Sequence, residues 1–245
     1  MIGGQSFGIL TQTLSIIRKE VIMKIISLLA TPHGVKGNTA ALLRWVLDGA
    51  VTEGAQTEVI VLKGDTVLSC RACDACHKKG YCTQTDDFET IKKKIIGADG
   101  LILASPNYIF NVSAQLKAFV DRCCGVVHCM QFWGKYGASV VTSGGGDEEG
   151  ISDYMNRFLI ITGVVPVGGV WASMSAMPAG VFTEKVKDEA LNLGRRLVAA
   201  WKAGEVPPEV DLQRKNFRER MQILVDYRKK EWPYEYRYWE EKMRA

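Results

Sequence analysis

The chain has 245 residues, of which 47% are hydrophobic and 24% charged, with a formal net charge of +4. That length holds one α/β domain with a full core plus an appendage, or two small domains. The near-balance of charge gives no reason to expect a nucleic-acid or membrane partner, and no uninterrupted apolar run approaches the roughly 20 residues of a membrane span.

The first 22 residues contain a weakly apolar stretch with no basic residue before it and Arg18, Lys19 and Glu20 after it. That is the wrong polarity for a secretory signal. Met23 directly precedes the first convincing strand, so residues 1–22 are read as an N-terminal extension outside the folded domain. The seven cysteines are then expected to be reduced cytoplasmic thiols or metal ligands, not a disulfide framework.

From Met23 onward, short β-branched runs alternate with longer amphipathic stretches, at intervals that suit βαβ units and a parallel sheet. Strands are expected near Lys24–Ala30, Thr57–Leu62, Gly100–Ser105, Ala138–Thr142 and Val164–Trp171. Helices are expected near Asn38–Glu53, Asp86–Ala98, Val112–Cys129, Glu149–Thr162 and Thr183–Lys202. Five strands in strict alternation with helices form a doubly wound sheet, whose ligands bind at the carboxyl ends of the strands. The functional loops should therefore be those that follow strands.

The first of these, in TPHGVKGNTAALL, leads into a helix with Asn38 or Thr39 expected at the N-cap. Free N–H groups there, with the helix dipole behind them, suit a phosphate monoester, with Thr31, Asn38 and Thr39 as side-chain donors and His33 or Lys36 as positive charge. A plain glycine-containing turn with a good cap explains the same residues. The loop matches neither the Walker pattern nor G-x-G-x-x-G.

The second loop carries CRACDACHKKGYC, which places Cys70, Cys73, Cys76 and Cys82 at spacing C-x2-C-x2-C-x5-C. Consecutive short spacings of this kind hold iron-sulfur clusters. Tetrahedral zinc and reduced or redox-active thiols stay open as alternatives, although zinc more often takes two separated pairs. His77, inside the run, is read as a solvated loop residue in preference to one that tunes a cluster. Cys123, Cys124 and Cys129 are read as core, and His128 as a packing residue at a helix end.

The third loop, in ASPNYIFNVSAQLKAFVDR, presents Pro106, Asn107, Tyr108, Phe110 and Asn111, aromatics and amides that suit a flat heteroaromatic ring. Ordinary loop packing explains the two aromatics equally well. The fourth loop, TSGGGDEEG, brings Ser143, Gly144 and Gly145, where a backbone without side-chain bulk can approach a ligand closely. Together, the three loops outline a site for a ring bearing a phosphorylated chain, as in FMN.

After Gly204, with Pro207 and Pro208 marking the boundary, the segment 205–245 has ten basic, nine acidic and seven aromatic residues. Phe217, Met221 and Leu224 form one helical stripe, and Trp232, Tyr234, Tyr236, Tyr238 and Trp239 need a surface to cover. Packing on the chain's own core or on a sister subunit is the expectation, ahead of a share in a substrate site.

GNTAALL, SPNYIFNVSAQLKAFVDR and TSGGG, in this loop order, resemble the flavodoxin-like NADPH-dependent FMN reductase superfamily. CRACDACHKKGYC followed by Asp86 and Asp87 resembles its iron-sulfur flavoprotein branch. The resemblance spans about residues 23–200 and implies a flavodoxin-like five-stranded domain over 23–204 with an aromatic-rich helical extension over 205–245. It further implies that Thr31, His33, Asn38 and Thr39 hold the FMN phosphate, and that Pro106, Asn107, Tyr108, Phe110 and Asn111 line the ring and ribityl chain. Ser143, Gly144 and Gly145 would lie at the ring, while Cys70, Cys73, Cys76 and Cys82 would ligate a 4Fe-4S cluster. The family often has arginine where this chain has His33, and Lys36 is a substitute within reach in sequence.

The implied activity is electron transfer between the cluster and FMN, with no acid-base residue assigned as catalytic. A homo-oligomer, dimer or tetramer, is expected, with ferredoxin or NAD(P)H as redox donor and a cytoplasmic location. The rivals are an NAD(P)H-dependent FMN or quinone reductase with a structural or vacant cysteine loop, a zinc-stabilised flavin-binding protein without turnover, and a plain flavodoxin-like carrier.

Overall fold

A computed structural model of the chain describes residues 22–244. The 1–22 extension thus lies, but for its last residue, outside the described residues. The five apolar runs form strands β1 (Lys24–Leu29), β2 (Gln56–Val61), β3 (Gly100–Pro106), β4 (Tyr136–Ser143) and β5 (Val165–Ser173). All pairings are parallel, in the order β2-β1-β3-β4-β5. Every residue of the inner strands β3 and β4 is buried, as a sheet covered on both faces requires, whereas the edge strand β2 is half to fully exposed.

The helices among the described residues are α1 (Asn38–Thr52), α2 (Ala75–Lys79), α3 (Phe88–Ile96), α4 (Ala114–Arg122), α5 (Cys124–His128), α6 (Glu148–Thr162), α7 (Glu184–Ala203), α8 (Pro208–Tyr227) and α9 (Pro233–Arg244). Alternate strand residues feed two cores. Ile102, Ala104, Ala138 and Val140 face α1 and α7, and Leu101 and Leu103 face α3, α4 and α6 through Phe88, Phe119 and Leu159. Each large apolar side chain buried in this way contributes about 1.5–3 kcal/mol. On the first face, α1 and α7 cross where Gly49 meets Leu191 and Gly194 meets Val46, and a Cβ on either glycine would overlap the facing backbone.

The expected order of strands and helices is observed, with ends shifted by one or two residues, apart from a few departures. The helix expected over 112–129 is two, because α4 ends at Arg122 with Cys123 as its C-cap and α5 starts at Cys124, with Gly125 against α2. The N-cap of α1 is Gly37, not Asn38 or Thr39. Extended backbone at Gly37 puts Asn38 already inside the first turn. Within the cysteine loop a short helix, α2, interrupts what composition alone reads as irregular chain.

The C-terminal segment folds back on the chain's own body. Arg214 and Met221 are buried on α8, where the Arg214 guanidinium lies 3.9 Å over the Trp133 ring. Phe217 and Leu224, of the expected stripe, are half-buried beside the buried Val225. Helix α9 lies on α2, and Trp239 donates its Nε1–H to the His128 carbonyl at 3.1 Å.

Candidate functional site

The chain leaves β1 toward β2 on one side and reaches β3 on the other, so a crevice opens between β1 and β3 at their carboxyl ends. A cavity of about 270 Å³ lies there, lined by Thr31, His33, Asn38, Thr39, Pro106, Asn107, Tyr108, Thr142, Ser143, Gly144 and Met174. Nine of these are residues that the sequence singles out. Thr142 and Met174 are additions. Thr142 could have been found as the first residue of the TSGGG motif, whereas Met174 follows β5 and carries no pattern.

Hydrogen bonds set the walls. Buried Ser113 caps α4 and donates to the Ala30 carbonyl at 2.8 Å, tying the third loop to the end of β1. Thr39 and Thr142 share a hydroxyl-hydroxyl bond of 2.6 Å that links the first turn of α1 to β4. Asn107 donates through Nδ2 to the Gly146 carbonyl at 2.8 Å, joining the third loop to the fourth. Glu148 accepts from Ser143 Oγ and from the Gly146 N–H, latching the glycine turn. Burial raises the Glu148 carboxyl, but these bonds outweigh it and hold the group below its ordinary value.

The residues present fit FMN. The first turn of α1 has no acidic side chain and no side-chain cap, so its N–H groups are free for an anion. Shielded from solvent, Asn107 Oδ1 has no hydrogen-bond partner, an acceptor left for a ligand N–H. A Cβ at Gly144 would meet nothing within 4 Å, so a flat group can approach that backbone. Lys36, Phe110, Asn111 and Gly145 do not line the cavity. Lys36 belongs to a short turn before α1; Asn111 Oδ1 accepts from the Val112 N–H at 2.8 Å; Gly145 faces Ser175. Phe110 is 72% exposed and, like Ile109, has a positive φ that is costly for such a side chain.

The cysteine loop follows β2 and opens at the same end of the sheet. Two non-glycine residues with positive φ, Ala72 and Asp74, coil the backbone, and the Ala72 N–H points to Cys70 Sγ at 3.4 Å. Cys70 and Cys73 are exposed, and Cys76 and Cys82 are half-buried. Four soft thiols on a coiled backbone fit an iron-sulfur cluster.

Asp86 closes this loop. Its carboxylate accepts from the Leu68 and Phe88 N–H groups and from both terminal nitrogens of Arg122, which also donates to the Leu68 carbonyl. Burial opposes the charge of Asp86, yet these donors hold its carboxyl below the usual range.

His77 is not solvated. It is 4% exposed, and its Nδ1 lies 2.6 Å from Glu235 Oε1 on α9. His128 is likewise more than packing, with Nδ1 2.9 Å from Glu235 Oε2. Cys123 and Cys129 are core as expected, but Cys124 is half-buried beside both imidazoles. Hydrogen bonds from His128 and His77 outweigh burial and lower the Cys124 thiol to about 6. No sequence signal ties Glu235 to residues more than a hundred positions away.

Comparison with known proteins agrees with this geometry. The family described as NADPH-dependent FMN reductase matches residues 23–178. An iron-sulfur flavoprotein of Archaeoglobus fulgidus is 35% identical over 182 residues, 74% of this chain and 81% of its own. Another, from Methanocaldococcus jannaschii, is 38% identical over 58% of this chain and 75% of its own. Among solved structures, a flavone reductase superposes with a TM-score of 0.57 at 16% identity, covering 74% of this chain and 63% of that one, a likeness of fold alone. The chain therefore belongs to the NADPH-dependent FMN reductase family, in its iron-sulfur flavoprotein branch.

Proposed function

We propose that this flavin-dependent oxidoreductase passes electrons between a 4Fe-4S cluster on Cys70, Cys73, Cys76 and Cys82 and FMN in the cavity between β1 and β3. The observation that carries this reading is that a four-thiol loop and a cavity with an anion-ready helix start open at one end of one parallel sheet. When bound, the cluster supplies one-electron chemistry and FMN both one- and two-electron chemistry.

The chain's own residues bind and orient. The first turn of α1, with Thr31, Asn38 and Thr39, holds the phosphate, and His33 stands in for the missing arginine at the cavity rim. Asn107 and Tyr108 flank the ring, Asn107 offering its unpartnered acceptor, and the Gly144 backbone lies along it. Glu148 keeps the fourth loop in place through Ser143 and Gly146. Phe110 and Asn111 reach the ring only if their exposed loop moves, and Lys36 acts as a diffuse positive charge near the phosphate. The domain boundaries at 23 and 204 are part of the proposal, since Gly204 ends α7 and Pro207 starts a segment that covers α2, α5 and α6. A homo-oligomer and a ferredoxin or reduced nicotinamide donor complete it.

The test is the anaerobically purified protein, with iron, acid-labile sulfide, zinc and flavin quantified on one sample. About four iron and four sulfide per FMN is the expected result. Cys73→Ser is expected to lose iron while keeping FMN, and unchanged iron would overturn the ligand set. A second reading, a nicotinamide-dependent flavin or quinone reductase, is favoured by the family match itself. Bleaching of the bound flavin by NADPH in the iron-free Cys73→Ser protein would select it.

A further inference from the structure

We propose that His77, Cys124 and His128 form a second metal site, mononuclear and separate from the four-thiol loop, for a divalent cation of borderline softness such as zinc. One ligand atom from each of the three lies within 4.8 Å of the others. The Cys124 Sγ to His128 Nε2 separation is 3.9 Å. The matching edge of a zinc tetrahedron, from bonds of about 2.3 Å to sulfur and about 2.0 Å to nitrogen, is roughly 3.5 Å. Closing onto an ion therefore needs a contraction of a few tenths of an ångström along that edge.

Glu235 prepares the two rings. Its carboxylate is fully buried, and its two oxygens take Nδ1 of His77 at 2.6 Å and of His128 at 2.9 Å. The imidazoles are stacked with centroids 4.8 Å apart and planes 27° from parallel. With Nδ1 of each ring on Glu235, the nitrogen each ring leaves for a metal is Nε2, and that of His128 faces Cys124 Sγ. A carboxylate behind each metal-binding histidine is the usual outer support of such sites, fixing tautomer and ring orientation. Trp232, the residue before α9, stacks on His77 at 4.7 Å and lies against His128 at 4.9 Å, which holds the rings in place.

The parts come from three separate helices, α2, α5 and α9, and the backbone is shaped for their approach. A Cβ at Gly125 would stand 3.2 Å from Cys76 Cβ, a tight contact, and 3.6 Å from Glu235 Oε1, an ordinary one, so glycine lets α5 lie this close without displacing Cys76. One thiolate and two imidazoles with a fourth position open is a zinc-type donor set, too soft for magnesium or calcium. On the open side, Asp74 Oδ1 lies 3.9 Å from His77 Nε2.

The experiment is a zinc titration of the anaerobically isolated full chain, followed by gel filtration, metal analysis and zinc-edge X-ray absorption. One retained zinc per chain with one sulfur and two histidine nitrogens in its shell is expected, with iron and FMN content unchanged. Cys124→Ser should abolish retention, Glu235→Gln should weaken it about 10- to 100-fold, and Cys73→Ser should leave it intact. Zinc with an all-sulfur shell, zinc indifferent to Cys124→Ser, or no retained zinc would each overturn the site and leave the group as a metal-free charge network. If Cys124→Ser fails to fold, the ligand count of the wild-type protein decides alone. Where the four-thiol loop carries its cluster, as iron on the same sample shows, it takes no zinc, and these outcomes read the second site alone.

Discussion

The flavin side and the thiol side of this molecule are held by different kinds of contact. Around the cavity, short loops are pinned by neutral hydrogen bonds among Ser113, Thr39, Thr142 and Asn107, and the one carboxylate, Glu148, sits on a half-exposed turn. Around the cysteine loop, buried charges do the fastening, with Arg122 and Asp86 side chains only 1% and 2% exposed and Glu235 wholly enclosed between two histidines. Neutral hydrogen bonds contribute about 1 kcal/mol each, whereas a buried ion is costly to leave alone. The cavity should therefore tolerate single changes, and the thiol side should fail abruptly.

The sharpest way to break this contrast is Arg122→Ala. It strands the Asp86 carboxylate in the interior and should cost about 3–5 kcal/mol, with loss of iron before loss of flavin. Urea unfolding and iron content measure it. The pH dependence has a definite sign. The Asp86 carboxyl lies below its ordinary value when folded, so the wild-type stabilisation is complete above about pH 4 and is lost as pH falls through the lower folded value. Without Arg122 that carboxylate protonates readily, so the gap between variant and wild type should narrow in acid. A constant gap would contradict the buried pair.

Next in size is Gly194→Ala, which forces a methyl group against the Val46 carbonyl and should cost about 1–3 kcal/mol in thermal unfolding, with no specific effect on either cofactor site. Thr39→Val comes third. It removes the bond to Thr142 and a donor from the first turn of α1, and should weaken FMN binding about fivefold, or about 1 kcal/mol, by fluorescence titration, with iron unchanged. Glu148→Gln should be milder still. The wild-type glycine turn loosens as pH falls through the lowered Glu148 value, and the variant should bind FMN with less dependence on pH below about 5. Phe110→Ala is the smallest. Its side chain lies outside the cavity, so FMN affinity should stay within error, and a large loss would mean that the third loop closes over the ring.

Legibility from sequence divides along the same line. The succession of strands along the chain and the cavity loops follow from local patterns: a β-branched run marks a strand, its carboxyl end marks a loop, and nine cavity residues sit on such ends or in the loop and first helical turn that follow. The misses there are also local. Gly37 takes the cap because its extended backbone starts the helix one residue earlier, and Cys123 breaks a helix that periodicity reads as continuous. The four cysteines stand out by spacing alone. Arg122 ends the SPNYIFNVSAQLKAFVDR motif, yet nothing in that motif points to Asp86, 36 residues away.

By itself, the sequence determined the alternating β/α order, the loops that carry a site and the thiol set, because each rests on residues close together along the chain. Only the tertiary structure decided that α9 returns to cover α2 and α5, bringing Glu235 to His77 across 158 positions and to His128 across 107. Side chains so far apart meet through the packing of helices that have no local code for one another. Their burial and pairing are properties of that packing, and single-residue tendencies read His77 as solvated and Cys124 as core.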